Sequence, residues 1–523
     1  MSVTPFVPVH TRDTETGTPT HIVLGRGLPA SVTLLGLISF AGILLVSFSA
    51  DAVGYAAAVG AGALGLTALG LFGALVTARG NLLASLSLGR LGPWMMLWFA
   101  IAYGAASLFW TTGRPSNVPA FLDQGAVLEA MRVVFVGVLA FLIGYQLRLR
   151  ATSNRASPRT HRLFGYWTPR HALRDAWLLF LVGTVATAIQ IASGTFGYLQ
   201  SSNVLTEASP LSNVLHLLSQ LAYFGIFLMS FATTRHFSIS NLLSLILVVL
   251  LASAISLFSG VKESFILVGL ALIFGYAAER QRLPLLGMFA TILIFLFFIA
   301  PFTSAYRDRV NIRPQERLDT VAAIGQLVPA LESMFQAHGD QHATGGLLEG
   351  RIPRINDVAV VTKQTPSQIG FRSALEFLEA PILGLVPRAV WPTKPILTTG
   401  YDFSVQYYHN PTTEFSSPAI TPYADLWRHG GWLPLLVGMA SFGIILRLLD
   451  DSMARGQDAR RFFFFLLIFA LVVKQEDDII GLIAAVPGLF LATWLAARLI
   501  ARREGRDVKP TVVRQLGEQG SRG

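Results

Sequence analysis

The sequence predicts an all-α polytopic membrane protein with about twelve transmembrane helices and one long extracytoplasmic loop. Of the 523 residues, 53% are hydrophobic and only 13% are charged, whereas roughly a quarter of the residues of a soluble globular domain are charged. The apolar residues form blocks bounded by Arg, Pro or Gly clusters. Blocks of about 15 to 25 residues match the length at which a helix crosses a hydrocarbon core. The composition therefore excludes a soluble domain.

The chain begins with a polar segment, residues 1–27, that is rich in Thr and Pro. It lacks the short apolar region and small-residue cleavage site of a signal peptide, and we expect a disordered cytoplasmic tail. The sequence contains no cysteine, which excludes disulfides and thiolate metal sites.

The apolar runs that follow predict twelve spans, of which the eighth and eleventh are short. They cover residues 28–49, 52–77, 92–110, 126–147, 175–195, 211–232, 240–259, 264–277, 284–303, 431–449, 460–474 and 479–500.

The distribution of Lys and Arg predicts that both termini are cytoplasmic, since short cytoplasmic loops carry the excess of these residues. The strongest signal is the linker between the fourth and fifth predicted spans, which contains Arg148, Arg150, Arg155, Arg159, Arg162, Arg170 and Arg174. The net charge of +10 is typical of such loops, and we do not expect a nucleic-acid partner.

Alternation of the spans then predicts that residues 304–430 form an extracytoplasmic loop domain. This loop contains eleven Lys or Arg and twelve Asp or Glu, and a loop of this length is usually functional or a small domain. Leu318, Val321, Ile324, Val328, Leu331 and Phe335 predict an amphipathic helix within residues 314–339. We expect Pro329 to kink or split that helix. The predicted units are residues 1–27, 28–303, 304–430, 431–500 and 501–523.

The cations of the loop occur in groups, and Arg is suited to phosphate because its planar fork matches phosphate oxygens in pairs. The alternative is that they form solvated or structural ion pairs with the acids of the loop. The groups are Arg307, Arg309 and Arg313, then Arg351 and Arg354, then Arg372, and finally Arg388 and Lys394.

Charged residues at the ends of the predicted spans are further candidates, because charge at membrane depth is costly unless it has a function or a partner. Lys262 lies at a short outer turn and has Glu263 beside it. Glu129 and Arg132 are three residues apart in one span, a spacing that favours a local ion pair. The run KQEDD before the last span contains Glu476, Asp477 and Asp478. It is either a helix N-terminal charge cluster or the location of a base.

A glycosyl transfer would need a proton acceptor and a cationic partner for the leaving phosphate. As the proton acceptor we favour Asp402 and His409, because they closely follow the Pro-rich stretch LVPRAVWPTKP, residues 385–395. The other candidates in the loop are Asp357, Glu376, Glu379, Glu414, Asp425 and His429. His338, Asp340 and His342 form one gathering of metal-ligand types, but we interpret them as a solvated turn and predict no metal site and no cofactor.

The order of these features resembles that of bacterial oligosaccharide repeat-unit polymerases of the Wzy type, the O-antigen polymerases. The similarity is carried by a Gly and a Lys at an outer turn, an Arg after the next span, an Arg-rich outer loop, and the stretch GFRSALEFLEAPILGLVPRAVWPTKP from Gly370. Its most specific part is the PRAVWPTKP element.

The resemblance implies an enzyme that joins polyprenyl-pyrophosphate-linked oligosaccharides on the outer face of the bacterial cytoplasmic membrane, without a required metal. It implies that Lys262, Arg307, Arg354, Arg388 and Lys394 bind pyrophosphate, and Arg351 is included because it lies beside Arg354. Other expected partners are membrane lipid, a flippase and a chain-length regulator. The Pro residues of the element would hold its two cations in a fixed relation.

Three other functions remain open at this point. An O-antigen-ligase-like transferase has a similar layout but makes a single transfer. A secondary transporter or flippase of lipid-linked sugars would show interrupted spans in paired halves, and the sequence has no internal repeat. A sensor or scaffold without chemistry would tolerate replacement of the loop cations.

Overall fold

The chain folds as an α-helical bundle, and its computed structural model describes most of the sequence. The described residues are 36, 39, 42, 54–78, 81–87, 89–115, 118–147, 171–193, 195–196, 212–280, 282–310, 320–337, 352–386, 390–395, 399–411, 418, 420–454, 459–473, 475–476 and 478–507. Across these ranges all regular secondary structure is helical.

The helices are numbered in chain order. The first ten are α1 (Tyr55–Ala78), α2 (Leu82–Ser87), α3 (Leu91–Thr112), α4 (Gln124–Gln146), α5 (Ala172–Ala192), α6 (Ser212–Ser219), α7 (Leu221–Arg235), α8 (Ile239–Ser259), α9 (Lys262–Arg280) and α10 (Leu285–Ile294, Phe295–Ile299 and Ala300–Val310). The rest are α11 (Thr320–Gly325), α12 (Leu327–Ala337), α13 (Ile355–Gln364), α14 (Glu376–Leu385), α15 (Thr399–Tyr408), α16 (Pro422–Arg428), α17 (Trp432–Ala454), α18 (Ala459–Val473) and α19 (Ile479–Asp507).

The helices identify the chain as a multi-pass membrane protein. Within the described ranges, nine helical segments are long and apolar enough to cross a bilayer. They correspond to nine of the twelve predicted spans. Of the remaining three, α9 has charged residues at both ends and α18 has 15 residues, while the predicted span 28–49 lies almost wholly outside the described residues. The predicted span 211–232 is divided at Gln220 into α6 and α7.

The centre of the bundle is the close packing of α4 against α17. Gly144 lies against the backbone of Ala440, and Gly443 lies against the backbone of Phe141. Leu435 packs beside Gly137, so the two helices run in the same direction. Glycine permits this approach because it has no Cβ, and stripes of small residues are a common way to pack helices in membranes.

One end of this pair is fixed to α3 by a buried carboxylate. Asp450 of α17 accepts hydrogen bonds from the backbone N–H groups of Leu91 and Gly92, at 2.6 and 3.0 Å, and from the Tyr145 hydroxyl at 2.6 Å. The first N–H groups of a helix have no partner within the helix, and here the carboxylate supplies one.

Several helices of the segment predicted as a loop domain lie within the main core of the bundle. Side chains from α13, α15 and α16 pack in the same hydrophobic core as those of the spans. In contrast, α11 and α12 pack on a second core with Phe258, Phe302 and Tyr306. The amphipathic segment is split at Gln326 and not at Pro329, because Pro329 in the first turn of α12 removes an N–H that would have no helical partner. Ile324 and Val328 of its predicted apolar face are exposed.

We expect Gly144→Ala to lower the unfolding midpoint of the purified protein, because the new methyl group would overlap the Ala440 carbonyl. Overpacking of this kind costs about 1–3 kcal/mol. The matched control is Gly488→Ala in α19, where an added Cβ meets nothing within 4 Å. Thermal unfolding in detergent measures both variants, and equal midpoints would show that the α4–α17 contact has room to relax.

Candidate functional site

Helix α13 is inserted into the bundle from the rim of the spans. Ile355, Val358 and Val361 are fully buried, and the helix packs along α4. Its C-terminal end lies at the rim, where Lys363 Nζ donates to the Phe121 carbonyl and to Asp123 Oδ2, both at 2.6 Å.

The N-terminal end of α13 reaches about halfway along α3. The backbone N–H of Arg354 donates to the Ala102 carbonyl at 3.0 Å. Ala102 belongs to a π-helical turn, Ala100–Gly104, which is followed by 3₁₀ helix over Ala105–Thr112. Such irregular turns are frequent at functional sites. The change in helix type and the bond from Arg354 occur at the same level of the bundle.

Arg354 forms the centre of a first group of ionisable side chains. Its guanidinium donates to Glu476 and lies 3.6 Å from Asp357 Oδ2. The Tyr408 hydroxyl donates to Asp357 Oδ1 at 2.8 Å. Tyr103 lies beside the same group. Glu476 is about one-third exposed, with 34% of its side chain accessible, so it forms the open side of this group.

Burial raises the pKa of Asp357 from its ordinary value of 3.8 to about 6, although Arg354 and the hydrogen bond from Tyr408 act in the opposite direction. Burial and the neighbouring Asp357 carboxylate raise the pKa of Tyr408 well above its usual range. Asp357 is therefore a carboxyl that can change protonation near neutral pH.

A second group is built on α16. Arg428 is fully buried, and its Nη2 lies 2.7 Å from Asp425 Oδ1 and 4.0 Å from Asp478 Oδ2. His429 Nδ1 lies 2.6 Å from the Asp425 carbonyl, and its Nε2 lies 3.4 Å from Glu376 Oε2.

Glu376 connects the second group to Arg372. The Arg372 Nε donates to Glu376 Oε1 at 3.1 Å, and the Arg372 backbone N–H donates to the Arg428 carbonyl at 2.8 Å. Both side chains are partly exposed, so this edge of the second group is also open.

The two groups are joined by the segment that precedes α19. Glu476 belongs to the first group and Asp478 to the second. The Ile480 N–H also donates to Asp425 Oδ2 at 3.3 Å. We call the two groups together the acid network. It contains five carboxylates and three guanidiniums, and this excess of acid favours proton acceptance over the binding of an anion. Its members are Arg354, Asp357, Arg372, Glu376, Asp425, Arg428, His429, Glu476 and Asp478.

A separate cationic turn lies between α8 and α9. The Arg307 Nε donates to the Gly260 carbonyl at 2.7 Å, two residues before Lys262. Gly260 has a φ of 65° and ends α8 in the left-handed conformation, which glycine adopts without steric cost. Two of the predicted phosphate-binding cations, distant in sequence, are thus brought to one turn.

Helix α6 lies near both the last span and the cationic turn. It packs against α19, and its His216 lies within electrostatic range of Glu263, the neighbour of Lys262.

In the Pro-rich element, the structure describes one of the two cations that the resemblance assigns to pyrophosphate, and that cation is buried. Lys394 is only 6% exposed, and its Nζ donates to the Val386 carbonyl at 3.0 Å, at the end of α14. Its ammonium therefore binds the helix end. Arg388 and Arg351 lie outside the described residues.

The two residues favoured from sequence as the catalytic pair, Asp402 and His409, are on α15 and just after it. Asp402 is six residues before Tyr408, a rise of about 9 Å along the helix. His409 is exposed and lies edge-on to Phe121 at 5.9 Å between ring centres. The network instead gathers Asp357, Glu376, Asp425 and His429, which the sequence offered as alternatives.

The remaining expectations concern an ion pair and a metal. Arg132 donates to Glu129 at 3.1 Å on the half-exposed surface of α4, as predicted. The gathering His338, Asp340 and His342 lies outside the described residues. In the part of the chain that the structure describes, no group of three or more His, Asp or Glu residues is arranged to hold a metal ion.

Comparison with protein families gives a match that covers residues 182–453 and is described as a domain of unknown function, DUF8712. The chain belongs to the DUF8712 family. Searches of the curated proteins and of the solved structures with this chain found no match.

The DUF8712 region extends from within α5 to the end of α17. It includes the cationic turn and the Arg, Asp and His residues of α13 and α16. Glu476 and Asp478 of the acid network lie outside it, as does the neighbouring Tyr103, so the network and its surroundings combine the DUF8712 region with segments on either side.

We expect Asp357 to contribute stability that is lost as the pH rises from about 4 to 6. Its raised pKa means that the folded state retains a proton that the unfolded state has already lost. In Asp357→Asn this component is absent, so the unfolding midpoint should fall less over that range. Thermal unfolding at several pH values measures the difference.

Asp123→Asn is the matched control, and the change of stability with pH that it removes has the opposite sign. The hydrogen bond from Lys363 lowers the pKa of Asp123, so its contribution is present above its ordinary pKa and is lost as the pH falls. An Asp357→Asn profile parallel to that of the wild type would contradict the assignment of this carboxyl.

Proposed function

We propose that the chain is a metal-independent membrane glycosyltransferase that polymerises polyprenyl-pyrophosphate-linked oligosaccharide repeat units on the outer face of the bacterial cytoplasmic membrane. The observation that carries the proposal is the hydrogen bond from Arg307 to the Gly260 carbonyl. This bond brings Arg307 to the turn that contains Lys262. In the Wzy-type pattern these two cations belong to separate spans.

In the proposed topology the chain has twelve spans and both termini are in the cytoplasm. The cationic turn and the acid network then lie toward the outer face. The excess of Lys and Arg in the short connections supports this orientation. If the spans alternate in direction, the start of α3 and the ends of α4 and α17 lie on the same side of the membrane. The packing agrees with this, because the three helices meet at Asp450.

In the proposed reaction, the cationic turn and the acid network have different roles. The pyrophosphate of the growing chain binds Lys262 and Arg307, where cations stabilise the charge that develops on a leaving phosphate. The acid network receives the hydroxyl of the incoming repeat unit, and Glu476, a partly exposed carboxylate of the network, accepts the proton. The hydroxyl oxygen bonds to the anomeric carbon, and the bond from that carbon to the pyrophosphate breaks. Polyprenyl pyrophosphate leaves with the electron pair.

Transport of lipid-linked sugars is the second candidate, and a specific feature favours it. The π-helical turn in the middle of α3 interrupts a span beside buried charged residues, and transporters bind substrates at interrupted helices near the middle of the membrane. The absence of an internal repeat in the sequence argues for the enzyme.

Arg307→Ala is expected to abolish long glycan chains. In cells that lack the gene, lipid-linked glycan should remain at a single repeat unit, and the wild-type gene should restore a ladder of sizes. Arg307→Ala should resemble the deletion, because the cationic turn loses one of its cations. The control is Arg309→Ala, since the Nε of Arg309 points to Ser333 at 3.4 Å. Gel profiles at matched protein levels measure the outcome.

Each other outcome has a defined meaning. An unchanged glycan contradicts the proposal. Long chains that are made but not transferred to an acceptor indicate the ligase-like enzyme, and repeat units retained on the inner leaflet indicate transport.

Glu476→Gln is expected to lower the polymerisation rate by at least about 100-fold, the usual contribution of a general base. The amide still accepts a hydrogen bond from Arg354 but cannot take up a proton. Glu379→Gln, at an exposed acid of α14, is the control. If Asp402→Asn or His409→Ala abolishes the reaction while Glu476→Gln does not, the base is on α15 as the sequence predicts.

A further inference from the structure

Helix α14 has an apolar stripe that no part of the described chain covers. Its side chains are 48–71% exposed, and they recur at intervals of four, three, four and three residues, which puts them on one helical face. They are Phe371, which precedes the helix, and Leu375, Leu378, Ile382 and Leu385. A continuous apolar face of this kind indicates an interaction surface.

The opposite face of α14 packs along the last span, α19. Ala380 forms a small core with Ile480 and Ala484, and Gly384 lies against the Ala484 backbone. Residues 380 and 384 thus meet residues 480 and 484 in the same order, so the two helices run in the same direction.

The direction of α14 decides what surrounds the stripe. Because the candidate span of α19 begins at Ile479, Ile382 and Leu385 lie beside positions about three and six residues inside that span. Farther along the candidate span, the outward side of α19 is also apolar. Its exposed side chains there are Val486, Phe490, Leu491 and Trp494.

Two of the charged groups near α14 are turned inward, whereas Glu379 is exposed at the level at which the candidate span of α19 begins. Glu376 is turned toward Arg372 and His429. Lys394, in the turn that follows α14, donates to the Val386 carbonyl and is almost fully buried, whereas Val390 and Trp391 are exposed. Cations at membrane depth are withdrawn in this way because their exposure to hydrocarbon is costly.

We propose that α14 and the turn after it enter the bilayer as a half-inserted helix beside α19, with the stripe in contact with lipid acyl chains. The occupant is the hydrocarbon of the membrane, which is the medium that already surrounds α19. This inference does not depend on the proposed enzyme activity.

The natural chain has no cysteine, so single-cysteine variants can each carry one nitroxide label. The test uses full-length protein in lipid vesicles with a label at Leu375→Cys, Leu378→Cys or Ile382→Cys. These side chains are exposed, so their replacement leaves the core intact. Phe490→Cys on α19 is the lipid-facing control, and Gln368→Cys, exposed in the segment before α14, is the water-facing control. Electron paramagnetic resonance measures collisions of each label with oxygen and with a water-soluble nickel chelate.

The expected result is a ratio of oxygen to nickel collisions that is high, as at Phe490, and that rises from Leu375 to Leu378 to Ile382. The rise reports increasing depth. Nickel collisions as frequent as at Gln368 would show that the stripe faces water. Infrequent collisions with both probes would show a covering protein. An equal ratio at the three positions would show a helix lying flat on the membrane. Each of these three outcomes overturns the proposal.

Discussion

The architecture of the bundle depends on one mostly buried cation, Arg354. A charged group inside a protein is tolerated when it is paired and hydrogen-bonded, and Arg354 has Glu476 and Asp357 as partners and Ala102 as its backbone acceptor. These contacts connect α13 with α3 and with the segment that leads into α19. Tyr408 extends the connection to α15. The segment between α10 and α17 is therefore anchored in the spans and is not a separate layer above them.

The transmembrane part of this fold could be predicted from sequence, because bilayer thickness and local hydropathy act over short stretches of chain. The pair Glu129 and Arg132 was equally predictable, since helical spacing alone brings the two side chains together. Arg354 and Glu476 are 122 residues apart, and hydropathy contains no information about such a pairing. For the same reason, the depth of α13 and the burial of Lys394 are visible only in three dimensions.

The sequence supplied the residue types of the candidate site but not their grouping. It identified Lys262 by its position at an outer turn and Arg307 by its place in an Arg-rich group, and it named Asp357, Glu376, Asp425 and His429 without a means to choose among them. Proximity in sequence to the Pro-rich stretch favoured Asp402 and His409, whereas the ion pairs gather the other carboxyl groups. Arg428 gave no signal, because one Arg in a loop does not differ from any other until its burial is known.

The contact between Gly384 and Ala484 has a consequence for the route of a membrane-borne ligand. Two backbones this close leave no gap for a hydrocarbon chain. The seam between α14 and α19 is thus closed to lateral diffusion from the bilayer. A lipid-anchored molecule that travels within one leaflet toward the acid network would have to enter elsewhere, so the packing of that helix restricts the direction of approach.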